Sequence, residues 1–145
     1  MNDAASNPYE QDLDQVTANY TPLSPLSFLE RAAAVYPNRT AVIHGDRRLT
    51  WSETFTRCRQ LASSLVKRNI GKGDTVAVIA TNIPAFYEAL YGIAATGAVI
   101  NPINIRLDAE TVAYILDHGE AKVLIADREF SPVIAAALER LSARP

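Results

Sequence analysis

Polar side chains follow three short apolar runs in the second half of the chain, and they are the residues best placed to bind a ligand. Asn82 follows the run TVAVIA, Asn104 and Arg106 follow the run AVI, and Asp127-Arg128 follows the run KVLIA. In an open parallel sheet, ligands bind at the carboxyl ends of the strands. The sequence therefore predicts a small-ligand site there, with Asn82, Asn104 and Arg106 as candidate binding residues.

Arg106 is the cationic member of this set. Its planar guanidinium is suited to an anionic ligand, because it can donate two parallel hydrogen bonds to one group. The alternative is a structural role, in which Arg106 pairs with Asp108 or Glu110 and fixes a loop. The sequence favours this structural alternative, and none of these residues alone identifies a reaction.

The remaining reactive side chains predict no catalytic residue and no metal site. The chain has one cysteine and two histidines, with no Cys-x-x-Cys spacing, so a zinc site is not expected. Cys58 lies on an apolar helical face and is interpreted as a core residue. Glu30, Glu53 and Asp108 are explained by helix capping, so no carboxylate pair is left for acid–base chemistry.

The tripeptide Gly71-Lys72-Gly73 has the composition of a phosphate-binding loop but not its position. Such a loop follows a strand and precedes a helix, so that free N–H groups at the helix start face the phosphate. Here the glycines follow a predicted helix and precede a predicted strand. A helix-terminating turn is the better interpretation.

The amino-acid composition is typical of an ordinary globular domain. The 145 residues are 48% hydrophobic and 21% charged, with a net charge of -2. This balance gives no basic surface for nucleic acid or an anionic membrane, and no apolar run is long enough to span a bilayer. A polar, acidic N-terminus without a secretory signal and a single cysteine predict a soluble cytoplasmic protein.

The first half of the chain predicts an arm, two helices and a hairpin. Residues 1–24 are polar and lack an apolar period, which predicts an extended or disordered arm. A helix begins at Ser24-Pro25, or alternatively at the capping box Ser27-x-x-Glu30. Two β-prone runs joined at Gly45-Asp46 predict a hairpin, and Thr50-x-x-Glu53 predicts a second capped helix.

From Thr75 onward the chain alternates between strands and helices. The run TVAVIA is apolar throughout, which is typical of a strand buried on both faces. Helical faces are expected after it, and one of them carries Phe86, Leu90, Ile93 and Ala94. Strand–helix repeats of this length predict an α/β fold with a parallel-type sheet and flanking helices, preceded by the small hairpin.

Two segments carry a family resemblance. The segment SPLSFLERAAAVYPNRTAVIHGDRRLTWSE contains a Leu-Thr-aromatic-x-Glu motif, and GIAATGAVINPINIRLDA contains a second motif around Ala95-Thr96-Gly97-Ala98. Together they resemble the opening of the AMP-forming acyl-CoA synthetases, of the adenylate-forming superfamily. The motif Asn-Pro-Ile-Asn-x-Arg-Leu-Asp-Ala is similar to the corresponding motif in one branch, the short- and medium-chain acyl-CoA and methylmercaptopropionate-CoA ligases.

The resemblance implies a full-length enzyme that activates a carboxylic (fatty) acid with ATP and Mg²⁺ to an acyl-adenylate and transfers it to CoA. The family's phosphate loop, metal-holding acid and catalytic lysine match no segment here, so no catalytic residue, metal ligand or cofactor site is carried over. Residues 25–145 are then expected to be an incomplete N-terminal AMP-binding domain, inactive alone. The resemblance also implies an exposed sheet edge, through which self-association is expected.

Two other interpretations stay open. One is a self-standing α/β module that binds a small ligand at the strand ends. The other is an interaction domain that associates with a separate chain carrying the missing motifs. Under the ligase interpretation the sequence does not define the carboxylic acid, since most of the acyl pocket would come from other segments.

Overall fold

The computed structural model describes residue 14 and residues 16–145. Most of the predicted arm, residues 1–13 and 15, lies outside the described residues, and residues 16–23 are exposed. In the described part the elements are α1 (Pro25–Val35), β1 (Thr40–His44), β2 (Arg47–Thr50), α2 (Trp51–Val66), β3 (Thr75–Ile79), α3 (Pro84–Ala94), β4 (Val99–Pro102), α4 (Ala109–His118), β5 (Ala121–Ala126) and α5 (Ser131–Leu138). A short 3-10 turn, Arg128–Phe130, precedes α5.

The helix starts follow the capping chemistry of the sequence. Ser24 caps α1 by accepting a hydrogen bond from the Leu26 N–H, so the first of the two predicted starts is correct. Thr50 caps α2, and the predicted capping box is complete, because the Glu53 carboxylate accepts the Thr50 N–H in return. This box joins the hairpin directly to α2.

The two sheets match the predicted architecture. β1 and β2 form an antiparallel hairpin, whose turn uses Gly45 at a φ of 57°. The larger sheet has the order β4-β3-β5, and β3 pairs in parallel with both neighbours. Its central strand is buried on both faces, as predicted from the unbroken apolar run.

Helices cover both faces of the parallel sheet. Ala77 and Ile79 contribute to a core shared with α4 and α5, which includes Val112 and Leu116. The alternate residues of β3 contribute to a second core, which includes Leu65 and Ile93. The alternation along one strand therefore holds two helical layers on a three-stranded sheet.

Helix α3 presents only part of the predicted face to the protein. Phe86 and Ile93 pack in the core shared with α2, as predicted, but the other two predicted residues are exposed. Leu90 is 39% exposed and Ala94 is exposed. The buried residues are Pro84, Glu88, Ala89, Gly92 and Ile93. Gly92 explains the difference, because a Cβ there would lie 2.8 Å from Leu61 Cδ2 and 3.0 Å from the Cys58 carbonyl oxygen. Helix α2 therefore packs against the backbone of α3. Val66, the last residue of α2, is likewise 57% exposed.

Candidate functional site

The carboxyl ends of β3 and β4 form a shallow groove of about 350 Å³, called here the strand-exit groove. Its lining residues are Ala80, Thr81, Asn82, Phe86, Ile103, Asn104 and Ile105. Two of the three predicted binding residues, Asn82 and Asn104, thus lie in one depression. Parallel pairing of β3 with β4 brings them together, because it aligns the carboxyl ends of both strands.

Backbone hydrogen bonds shape this groove. The Ile103 N–H donates to the Val78 carbonyl at 2.8 Å and extends the β3–β4 pairing past Pro102. The Asn104 Oδ1 accepts the Arg106 N–H at 3.0 Å. Since its oxygen accepts a hydrogen bond within the loop, the amide NH₂ of Asn104 is oriented independently of that bond as a donor for a ligand.

Arg106 lies beside the groove rather than in its lining, and its side chain is exposed. The structural alternative for Arg106 is not observed. Within residues 14 and 16–145 the ion pairs are Arg57–Glu88 and Lys122–Asp74. Asp108 instead caps α4 by accepting the Thr111 N–H at 2.8 Å, and that hydrogen bond holds the Asp108 pKa below its usual value.

A larger depression, the hairpin groove, lies between β1 and α3 and has a volume of about 460 Å³. It is lined by Ala41, Val42, Ile43, His44, Asn82, Ile83, Pro84, Phe86, Tyr87 and Leu90. Burial, followed by the proximity of Tyr91, raises the pKa of the Tyr87 phenol. Sequence reasoning missed this groove, because nothing in the chain's local pattern places the hairpin against α3.

Both grooves are lined by residues at the start of α3. An ion pair fixes this part of α3 to α2. Arg57 Nε lies 2.5 Å from Glu88 Oε1, and Arg57 Nη2 donates to Glu88 Oε2 at 2.9 Å. Glu88 is only 6% exposed, and its hydrogen bonds raise the Arg57 pKa. Sequence reasoning missed this pair. The available signal was the i, i+4 series Pro84, Glu88 and Gly92, in which a helical glycine indicates close packing.

Cys58 is a core residue, as predicted. It is 2% exposed on the α2 face that meets α3, and burial raises the pKa of its thiol to about 11. A thiol with that pKa is almost wholly protonated near neutral pH, so it is a poor nucleophile.

The described residues do not fit a nucleotide–metal centre. The connection from β3 to α3 contains no glycine, and the α3 N-cap, Ile83, has no side-chain hydrogen bond. In residues 14 and 16–145 no group of three or more His, Cys, Asp or Glu side chains is placed to hold a metal ion. The lining of the strand-exit groove is uncharged. No described helix is long and apolar enough to cross a membrane.

The fold and the groove define an open, parallel α/β domain with a ligand-sized depression at its strand ends. The chain belongs to the AMP-binding enzyme family, whose model matches residues 29–144. This match confirms the resemblance drawn from the two sequence motifs and the fold class predicted with it.

Curated relatives agree with the family match. The chain is 56% identical over 119 residues to a peroxisomal acetate/butyrate–CoA ligase, AAE7, from Arabidopsis thaliana, covering 82% of this chain and 21% of the relative. It is 53% identical over 131 residues to the acetate–CoA ligase CCL3 from Humulus lupulus, covering 90% of this chain and 23% of the relative. The chain therefore spans about a fifth of the length of these relatives.

Solved structures share the fold. The inhibitor-bound N-terminal domain of FACL13 from Mycobacterium tuberculosis matches with a TM-score of 0.76 and 34% identity, over 83% of this chain and 30% of that one. The anthranilate CoA ligase AuaEII, in complex with anthranoyl-AMP, matches with a TM-score of 0.77 and 28% identity, over 81% and 23% of the two chains. Both similarities lie in a minor part of a longer polypeptide.

Proposed function

We propose that this chain is the N-terminal scaffold of an acid–thiol ligase that activates a short- or medium-chain carboxylic acid with ATP and transfers the acyl group to CoA. The 56% identity to an acetate/butyrate–CoA ligase carries the proposal. Family members of this kind use ATP and CoA. Mg²⁺ would accompany ATP, since the metal neutralises charge on the phosphates.

The role of this segment in that reaction is support rather than chemistry. Residues 25–145 form the domain in this proposal, and residues 1–24 precede it as an arm. The capping box at Thr50 and Glu53 joins the hairpin to α2, and the ion pair of Arg57 with Glu88 joins α2 to α3. These contacts hold the start of α3 next to Asn82, and pairing of β4 with β3 brings Asn104 to the same strand ends, where the ligase would place a ligand.

A second proposal is a self-standing module that binds a small ligand in the strand-exit groove. The observation in its favour is the meeting of two amide side chains with apolar walls in one depression. Such a lining suits an uncharged ligand with a hydrogen-bonding group. Nuclear magnetic resonance titration of the chain with short amides and carboxylic acids would separate the two proposals. A self-standing module should bind these compounds alone, whereas a ligase scaffold should bind them only together with the rest of the enzyme.

A segment exchange tests the ligase proposal. The matched 119 residues of the acetate/butyrate–CoA ligase are replaced by those of this chain, and acetyl-CoA formation is measured. We expect the hybrid to remain active. The control hybrid carries Glu88→Lys, which places two cations in the α2–α3 interface and should abolish activity. A hybrid that folds like the native ligase but forms no acyl-adenylate would contradict the proposal.

A further inference from the structure

Two contacts between α2 and α3 lie one helical turn apart. Arg57 binds Glu88 through two hydrogen bonds, and Leu61 lies so close to Gly92 that a Cβ there would come within 2.8 Å of its Cδ2 atom. On each helix the two residues are four positions apart, so both contacts lie on the same face. Two successive contacts on one face fix both the sliding and the rotation of α3 against α2.

The start of α3 depends on this packing. Its N-cap residue, Ile83, makes no side-chain capping hydrogen bond, whereas side chains cap α1, α2 and α4. The helix follows a tight turn centred on Asn82, in which the Ile83 N–H donates to the Thr81 carbonyl at 2.8 Å. Since no cap fixes the first turn of α3, its orientation is set by the contacts that α3 makes with α2 and the sheet.

The first turn of α3 and the tight turn before it carry residues of both grooves. Asn82 and Phe86 line the strand-exit groove and the hairpin groove alike. Phe86 lies two residues before Glu88, and it packs at the border of the core shared with α2. A rotation of α3 would therefore move the wall that the two grooves have in common.

A buried ion pair is suited to fixing an orientation more than to adding stability. Taking both charges out of water costs free energy that their attraction only partly returns, and apolar side chains of similar volume often stabilise a protein as well. Apolar contacts tolerate sliding, whereas the planar guanidinium binds a carboxylate in one two-point geometry. The contact of Arg57 with Glu88 has that geometry, and the Glu88 side chain is buried.

We propose that Arg57 and Glu88 are a positioning pair, which sets the orientation of α3 and through it the positions of Asn82 and Phe86. In the full-length enzyme this orientation governs affinity for the substrate that contacts those two residues. Arg57 and Glu88 act through α3 and touch no substrate themselves. The inference rests on the proposed ligase function, because it requires a substrate at the strand ends.

Arg57→Lys in the hybrid ligase that carries this segment tests the positioning. Lysine keeps the positive charge but replaces the two-point contact with a point charge. We expect the KM for one substrate among the acid, ATP and CoA to rise roughly tenfold, because a small displacement of a binding residue weakens its contacts. The other KM values and kcat should stay within about twofold of the unmodified hybrid.

The matched control is Lys122→Ala, which breaks the ion pair of Lys122 with Asp74. That pair lies at the amino-terminal ends of β3 and β5, opposite the strand exits. Thermal unfolding of both hybrids measures their loss of stability, and at a similar loss only Arg57→Lys should change a KM.

Unchanged KM values in Arg57→Lys, or the same KM change in both variants, would overturn the positioning role while the active hybrid still supports the ligase function. A natively folded hybrid that is inactive with Arg57 and Glu88 intact would contradict both proposals.

Discussion

Arg57 on α2 and Glu88 on α3 lie 31 residues apart in sequence and join the two helices through a two-point ion pair. The guanidinium side chain is 40% exposed and the carboxylate side chain 8% exposed. The pair is therefore asymmetric: water can solvate the arginine if the contact is lost, but the glutamate would stay buried without a partner. Its loss should cost more than that of a surface ion pair.

Removing the arginine tests this asymmetry. We expect Arg57→Ala to lower the free energy of unfolding by about 2 kcal/mol, because it leaves a buried charge; the partial exposure of Arg57 keeps the loss below that of a fully buried pair. The double variant Arg57→Ala/Glu88→Ala should be less destabilised than the sum of Arg57→Ala and Glu88→Ala. Urea unfolding gives all four values. Additive losses would show that the two side chains do not interact in solution.

Gly92 provides a steric test of the same interface. Alanine is favoured over glycine in a helix by about 1 kcal/mol, yet Gly92→Ala should destabilise the protein by about 1–3 kcal/mol, since the new methyl meets α2. The control is Gly71→Ala, where the nearest atom to a Cβ is the Thr96 carbonyl oxygen at 4.0 Å. Thermal unfolding of both variants decides. A stabilised Gly92→Ala would mean that α2 and α3 lie farther apart.

The sequence predicted the helices and strands that depend on interactions between residues close together in the chain. Capping at Ser24, Thr50 and Asp108 set the starts of three helices, and the apolar run from Thr75 identified the central strand. Each of these signals lies within a few residues of its effect. The family resemblance carried by the two motifs then indicated the fold into which these elements assemble.

What the sequence did not predict depends on contacts between distant segments. The hairpin groove forms because β1 lies against α3, about 40 residues later. The burial of Glu88 and the exposure of Leu90 both follow from the rotation of α3 that Gly92 permits. On α3, periodicity alone assigned Leu90 and Ala94 to the interior, whereas close packing against α2 buried Glu88, Ala89 and Gly92 beside Ile93.

The burial of Cys58 makes labelling a measure of opening between α2 and α3. With a thiol pKa of about 11 and 2% exposure, native Cys58 should resist a thiol reagent near neutral pH. Because the chain has one cysteine, the same protein in urea supplies the reference rate. We expect native labelling slower by roughly a hundredfold or more. Similar rates in both states would contradict the packed interface.

Stability should fall in acid through the capping box. The backbone N–H of Thr50, followed by its hydroxyl, lowers the pKa of the Glu53 carboxyl in the folded state. A lowered folded pKa stabilises the fold above the unfolded-state pKa of about 4, and this contribution is lost as pH falls through the folded value.

Glu53→Gln isolates that contribution, because glutamine still accepts the hydrogen bond but does not titrate in this range. We expect the variant's stability to depend less steeply on pH below about 5. Urea midpoints of both proteins at several pH values provide the measurement. Wild type should be the more stable at neutral pH, and the two should converge in acid, where the protonated Glu53 resembles glutamine. Parallel pH profiles would mean that the capping box does not form.

The last prediction concerns the chemistry of the isolated chain. We expect the 145-residue protein neither to form an acyl-adenylate nor to bind ATP tightly. The strand-exit groove has an uncharged lining, and the connection into α3 has no glycine turn to direct free N–H groups at a phosphate. Arg106, exposed beside the groove, is a single cation, and binding of a triphosphate relies on several charges acting together with a metal.

Two measurements test this expectation. Isothermal titration with Mg²⁺–ATP measures ATP binding, and acid-dependent exchange of pyrophosphate into ATP measures acyl-adenylate formation, with the intact acetate/butyrate–CoA ligase as the positive control. Exchange above background would show that the described residues hold a reaction centre, and an Arg106→Ala variant that removed it would place that centre at the strand ends.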